Sequence, residues 1–223
     1  QTNTIGTNLT AAGAYALSNN TTGNDNVAVG RVALYSNTTG GNNTAIGTEA
    51  LRNNTASNNT AVGFCALRSN TTAKYNSALG RSALAGNTTG TCNSTLGAYA
   101  LSCNTTASCN SALGALSLLS NTTGCQNSAV GFTALNSAVG AFAFYNNSTG
   151  VQNTAIGVSA LQNNTTGNCN TALGLLALFS NTTGNNNLAL GYHSLRCNTA
   201  SNNTAVGFCA LRANTTGTAN TAV

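Results

Sequence analysis

No proline, methionine or tryptophan occurs in the 223 residues, and only 4% of them are charged, against about a quarter in ordinary soluble domains. Two carboxylates, Asp25 and Glu49, and one histidine, His193, are present. These shortages exclude much chemistry. Glycoside hydrolysis needs two carboxylates in register, and Asp25 and Glu49 fall at different phases of the repeat described below. A nucleophilic triad needs an acid beside its histidine, and His193 is far along the chain from both acids. Calcium-binding β-rolls use recurrent Asp, and Asp25 stands alone. The lack of C-x-x-C argues against a zinc cluster. The chain therefore reads as a non-enzyme without metal or cofactor.

No apolar run approaches the roughly 20 residues of a membrane-spanning helix. A secretory leader and an initiator Met are lacking, as expected of a processed or truncated chain. The formal net charge of +5 comes from Arg31, Arg52, Arg68, Lys74, Arg81, Arg196 and Arg212, spread along the sequence. A nucleic-acid binder shows a basic stripe, so no nucleic-acid partner is expected. A surface this poor in charge favours self-association.

What the chain has in abundance is Asn, Thr, Ala and Gly, ordered in a 17-residue unit, N-[ST]-A-[VIL]-G-x-x-A-L-x-x-N-T-T-G-x-x. The stretch NTASNNTAVGFCALR at 54–68 returns word for word at 198–212. Aligned on the Gly of A-[VIL]-G, units follow at Gly13, Gly30, Gly47, Gly63, Gly80, Gly97, Gly114, Gly131, Gly140, Gly157, Gly174, Gly191 and Gly207. The spacing falls to 16 where NTTG becomes NTAS, and to 9 between Gly131 and Gly140. This defines a single repeat domain, 1–223, with a partial first unit at 1–12 and a shortened repeat at 131–140.

A unit of this length cannot bury a core alone, whereas stacked units bury a continuous one. The expected fold is all-β, a parallel β-solenoid or β-roll of about 13 turns. N-[ST]-A-[VIL]-G is the strand candidate. The x-x-A-L-x-x piece reads equally as a second strand or a single helical turn. NTTG supplies a turn whose Gly is available for positive φ. Two columns are expected to form the core: the aliphatic residue before the Gly, as in Ile46, and the Leu four after it, as in Leu51. Flanking Ala columns such as Ala45 and Ala50 keep that core thin.

Seven residues after the Gly stands an Asn in every unit but the shortened one: Asn20, Asn37, Asn54, Asn70, Asn87, Asn104, Asn121, Asn147, Asn164, Asn181, Asn198 and Asn214. A second Asn column lies four before the Gly. An amide carries both donors and an acceptor, so a stack of identical amides can form a ladder. Nine of the first column, Asn20, Asn37, Asn70, Asn87, Asn104, Asn121, Asn164, Asn181 and Asn214, also head N-T-T and are candidate glycosylation sites. An inward ladder and a glycan cannot share one Asn, and the uniformity of the column favours the ladder.

Eight cysteines and the sequons suit an extracellular setting. Cys92, Cys109 and Cys169 share a repeat phase, with Cys125 one position away and Cys103 nearby. Cys92, Cys103, Cys109 and Cys125 are the candidates for a bridge between neighbouring turns. The reading that several are free thiols stands beside this one. Cys65 and Cys209 share a phase but lie far apart, which leaves them another cysteine column or another chain.

The N-[ST]-A-[VIL]-G phrase resembles the head repeats of trimeric autotransporter adhesins. The longer NTAIG-x-x-AL-x-x-NTTG phrase is similar to repeats in phage, giant-virus and bacterial tail-fibre-like proteins. The resemblance covers nearly the whole chain. It implies an oligomeric fibre or adhesive shaft at the extracellular, cell or virion surface. Three functions follow as expectations. The first is a structural shaft that self-associates, as a homo-oligomer or head-to-tail filament. The second is an ice-binding solenoid that uses the N-T-T threonines. The third is a rod that binds a cell-surface receptor or glycan through the variable x positions.

Overall fold

A computed structural model of the protein describes residues 6–130 and 143–223. The shortened repeat read at 131–140 lies outside the described residues. The fold is an all-β parallel solenoid built from three-residue strands that recur once per repeat. It divides into two compact units, residues 1–109 and 110–223. In the first, β1 (Thr10–Ala12), β2 (Val27–Val29), β3 (Thr44–Ile46), β4 (Thr60–Val62), β5 (Ser77–Leu79) and β6 (Ser94–Leu96) pair in sequence order. In the second, β7 (Ser111–Leu113), β8 (Ser128–Val130), β9 (Thr154–Ile156), β10 (Thr171–Leu173), β11 (Leu188–Leu190), β12 (Thr204–Val206) and β13 (Thr221–Ala222) do the same. Each register pairs equivalent positions of the repeat, as in Ala45 opposite Ala61. Between β8 and β9 the partners Ser128 and Thr154 are 26 residues apart rather than 17. Asn147 bonds Asn121 across the same interval.

Side chains alternate across a strand, and here the small one points inward. Ala28, Ala45, Ala61 and Ala78 are fully buried, while Val29, Ile46, Leu79 and Leu96 are exposed. The aliphatic column before the Gly is therefore not core. The thin interior accepts only a small side chain at the strand centre, alanine or, in β6, Thr95, so the branched residue on either side of it must face out. Opposite the strands, Leu34, Leu51, Leu67 and Leu84 in the first unit and Leu118, Leu161, Leu178 and Leu195 in the second fill the interior. Phe144 takes the same place in its turn.

The x-x-A-L-x-x piece is neither strand nor helix. It is a run of hydrogen-bonded tight turns: Ala50 N–H donates to the Gly47 carbonyl, Arg52 N–H to Glu49, and Asn54 N–H to Leu51. Two residues of each run, such as Glu49 and Leu51, sit at φ near +60° and +50°. That conformation costs a bulky residue about 1–2 kcal/mol. It is offset by burial of the leucine, worth about 2 kcal/mol, and by the Leu51 N–H bond to the Ala66 carbonyl of the next turn (3.0 Å).

The aligned glycine is needed twice over. Gly47 has φ +131°, and a Cβ there would stand 2.5 Å from the Gly63 carbonyl oxygen of the next turn. The NTTG glycine does not use positive φ, contrary to expectation. Gly40 lies outside that region, and Ala73 and Ala107 occupy its phase in other turns.

Candidate functional site

The two Asn columns are the inner framework on which the outer surfaces rest. In the first column, Asn37 Nδ2 donates to Asn20 Oδ1 (2.9 Å), Asn70 to Asn54 (2.7 Å), and Asn87 to Asn70 (2.9 Å). In the second unit Asn164 donates to Asn147 (3.1 Å) and Asn181 to Asn164 (2.8 Å). In the full-length turns the amide also donates to the carbonyl three residues on, as Asn37 does to Gly40 (2.8 Å). The second column lies across the turns. Asn26 Oδ1 accepts from the Asn43 N–H (3.0 Å), and Asn26 Nδ2 donates to the same Gly40 carbonyl (2.8 Å).

The ladder is interrupted where NTTG is shortened to NTAS. Asn37 Oδ1 and Asn181 Oδ1 are buried without a partner. The next residues up, Asn54 and Asn198, instead donate to Ala56 and Ala200 (2.7 and 2.8 Å). One residue fewer tightens the turn and draws the amide away from its neighbour.

Eight of the nine N-T-T asparagines are fully buried: Asn20, Asn37, Asn70, Asn87, Asn104, Asn121, Asn164 and Asn181. A glycan on their Nδ2 and the folded turn exclude one another. Asn214 is half-buried, and it too donates, to Asn198 (2.8 Å).

All eight cysteines are free thiols. The bridges considered for Cys92, Cys103, Cys109 and Cys125 are not formed. In a parallel in-register stack, like side chains point the same way about 4.8 Å apart. That exceeds the usual Cβ separation of about 3.5–4.5 Å in a disulfide. Cys92, Cys103, Cys109 and Cys169 are exposed. Cys65 is buried and faces Glu49 Oε2 at 3.8 Å, so in this conformation it does not reach another chain. Burial, and then the Glu49 charge, push its thiol pKa up. Cys209 is half-buried.

Outward, each turn offers two surfaces. One is the strand face, where Thr or Ser and Val, Ile or Leu alternate and no charge occurs. The other is the ridge formed by the tight turns. Six of the seven basic residues lie one or five residues after an aligned glycine: Arg31, Arg52, Arg68, Arg81, Arg196 and Arg212. Scattered in sequence, they are gathered by the fold onto equivalent edges of the ridge. Their repeat phase was the signal that a linear scan for charge clusters passes over.

In the first unit, Glu49 sits among three arginines. Arg68 Nε is 2.8 Å from Glu49 Oε2, while Arg31 Nη2 and Arg52 Nη1 are each 3.8 Å from the carboxylate. Beside them a hollow of about 250 Å³ is lined by Tyr15, Arg31, Val32, Tyr35 and Arg52. Farther along, the Arg81 guanidinium lies 5.9 Å from the Phe64 ring centre and 5.5 Å from that of Tyr99. In the second unit, Tyr192 stacks on His193 (3.9 Å) and on Phe208 (5.1 Å), and Arg196 lies 5.9 Å from Phe179. Burial, then Arg196 and Arg212, lower the His193 pKa.

Among the described residues no three of His, Cys, Asp and Glu converge as a metal site would require. Among them no helix is long and apolar enough to cross a membrane. Asp25 accepts from Asn8 Nδ2 (2.8 Å), and Glu49 is engaged by arginines. No family model and no curated protein matches the chain. The functional reading therefore rests on the strand face and the ridge.

Proposed function

We propose that this chain is a non-catalytic structural element, the shaft of a fibre, adhesin or tail-fibre-like assembly at an extracellular or virion surface, and that it associates with copies of itself. The observation that carries this is the strand face. Ile46, Leu79 and Leu96 in the first unit and Leu113, Ile156 and Leu173 in the second are large aliphatic side chains at least a third exposed. They recur in register on adjoining strands with no charge among them. A contiguous apolar row on a soluble protein marks an association surface, and its removal from water drives the contact at about 25 cal/mol per Å². Light scattering after gel filtration tests this. Oligomers are expected for the native chain and monomers for Leu79→Glu with Leu96→Glu. A native chain that stays monomeric at high concentration overturns the reading.

Ice binding is the second reading, and the strand face supports it better than the N-T-T threonines do. The first N-T-T hydroxyls are spent on backbone, as in Thr21 to the Thr38 carbonyl (3.0 Å) and Thr88 to Thr105 (2.9 Å). On the strand face, Thr44 and Thr60 stand in register beside Ile46 and Val62. Replacement of threonine by Ser77 and Ser94 and the bulk of Leu79 and Leu96 weigh against a regular array. A thermal hysteresis measurement separates the two readings.

A further inference from the structure

We propose that the hollow between Tyr15, Arg31, Val32, Tyr35 and Arg52 is a binding site for a carboxylate-bearing sugar, a sialic or uronic acid unit of an acidic glycan. The residues come from three successive turns, so only the stacked fold assembles them. Its volume of about 250 Å³ falls below the ~300–1,000 Å³ of pockets that hold drug-sized ligands. A single ring suits it.

The charge balance supplies the anion preference. Glu49 is the one carboxylate in the cluster, and it is held closely by Arg68 at 2.8 Å. Arg31 and Arg52 stand off at 3.8 Å. Their side chains are 64% and 39% exposed, so their remaining donors face solvent at the rim of the hollow. A guanidinium offers a planar fork that matches a carboxylate. The cluster of Arg31, Arg52 and Arg68 against Glu49 keeps a surplus of positive charge after Glu49 is neutralised.

The tyrosines supply the sugar preference. Tyr15 is 68% exposed and packs into no core. A tyrosine presents an apolar face and a polar tip, which fits the C–H face of a pyranose and its hydroxyls. Val32 adds an apolar side chain to the lining. An extended nucleic-acid strand would need such elements repeated along the ridge. Here the Arg52 phase continues to Arg68, which is committed to Glu49, and then turns to Ala85 and Ser102, so the guanidinium row does not run on along the ridge.

Calorimetry on the full chain tests this with four probes: sialyllactose, tetragalacturonate, sulfated lactose and lactose. At least one of the two carboxylated probes is expected to bind, and lactose to bind at least about tenfold more weakly, because a charge-assisted hydrogen bond contributes about 1.5–3 kcal/mol. Arg31→Gln with Arg52→Gln is expected to lose about 100-fold in affinity, and Tyr15→Ala about tenfold. Arg196→Gln, on the ridge of the second unit, should bind as the native chain does. If the double variant fails to fold by circular dichroism, Tyr15→Ala carries the test, since its side chain is exposed. Equal binding of lactose, tighter binding of sulfated lactose, no binding of any probe, or native affinity in a folded Arg31→Gln, Arg52→Gln variant or in Tyr15→Ala overturns the proposal. The monomeric Leu79→Glu, Leu96→Glu chain should retain binding, so failure of self-association and failure of this site are read separately.

Discussion

Ile46 and Leu51 stand five residues apart in one turn, and both are branched aliphatics. Ile46 is 40% exposed, and Leu51 is fully buried. Ile46 follows the single inward alanine of a strand, where alternation turns it to solvent. Leu51 lies in the tight-turn segment, where a left-handed backbone conformation (φ +50°) turns the side chain inward. Hydrophobicity does not separate the two. Backbone direction does, and the interior is narrow enough to admit leucine from one side and only alanine or threonine from the other.

The comparison breaks most severely at the glycine between them. Gly47→Ala forces a Cβ against the Gly63 carbonyl and strains φ, and it is expected to cost about 4 kcal/mol or to prevent folding. Denaturant unfolding measures this. Next, Leu51→Ala should cost about 3 kcal/mol, since it leaves a cavity in a packed interior. Ile46→Ala should cost under about 1 kcal/mol, while weakening self-association. Similar losses from the two would refute the assignment of inner and outer columns.

The amide columns allow a finer contrast. Asn70 makes ladder bonds both above and below, to Asn87 and Asn54. Asn37 has none at its Oδ1, because the shortened turn above it draws Asn54 away. Asn70→Ala is therefore expected to cost about 2–3 kcal/mol, and Asn37→Ala about 1 kcal/mol less, as judged by the same unfolding experiment. Equal costs would show that the interruption has no energetic weight.

The smallest effect concerns Cys65. Its folded-state pKa is raised by burial, so the folded chain holds that proton more tightly than the unfolded chain. The resulting stability is present below the ordinary value of 9.0 and is lost as pH rises above it. Timed labelling with a thiol-reactive disulfide should modify exposed Cys92, Cys103, Cys109 and Cys169 first. Cys65 should react last at any pH below 9.0.

The period, the parallel stacking, the inward Leu column and the Asn columns were legible in the sequence. Each follows from a residue type that recurs at one phase and has a single physical use there. The outward aliphatic column was misjudged because Val29, Ile46 and Leu79 carry a core composition, and composition says nothing about which side of a three-residue strand has room. The tight turns were ambiguous because the x-x-A-L-x-x segment is too short to display a period. The left-handed conformation of Leu51 belongs to no propensity that a leucine advertises. Arg31 and Arg52 read in sequence only as scattered charges.

By itself, then, the sequence determined the repeat, the glycine at each close approach and the amides that join one turn to the next. These are properties of single columns, and a column is visible once the register is found. Only the tertiary structure decided which aliphatics face solvent, where the amide ladder is interrupted, and that Tyr15, Arg31 and Arg52 meet around one hollow. Those depend on the width of the interior and on neighbours in different turns, distances that a linear chain does not express.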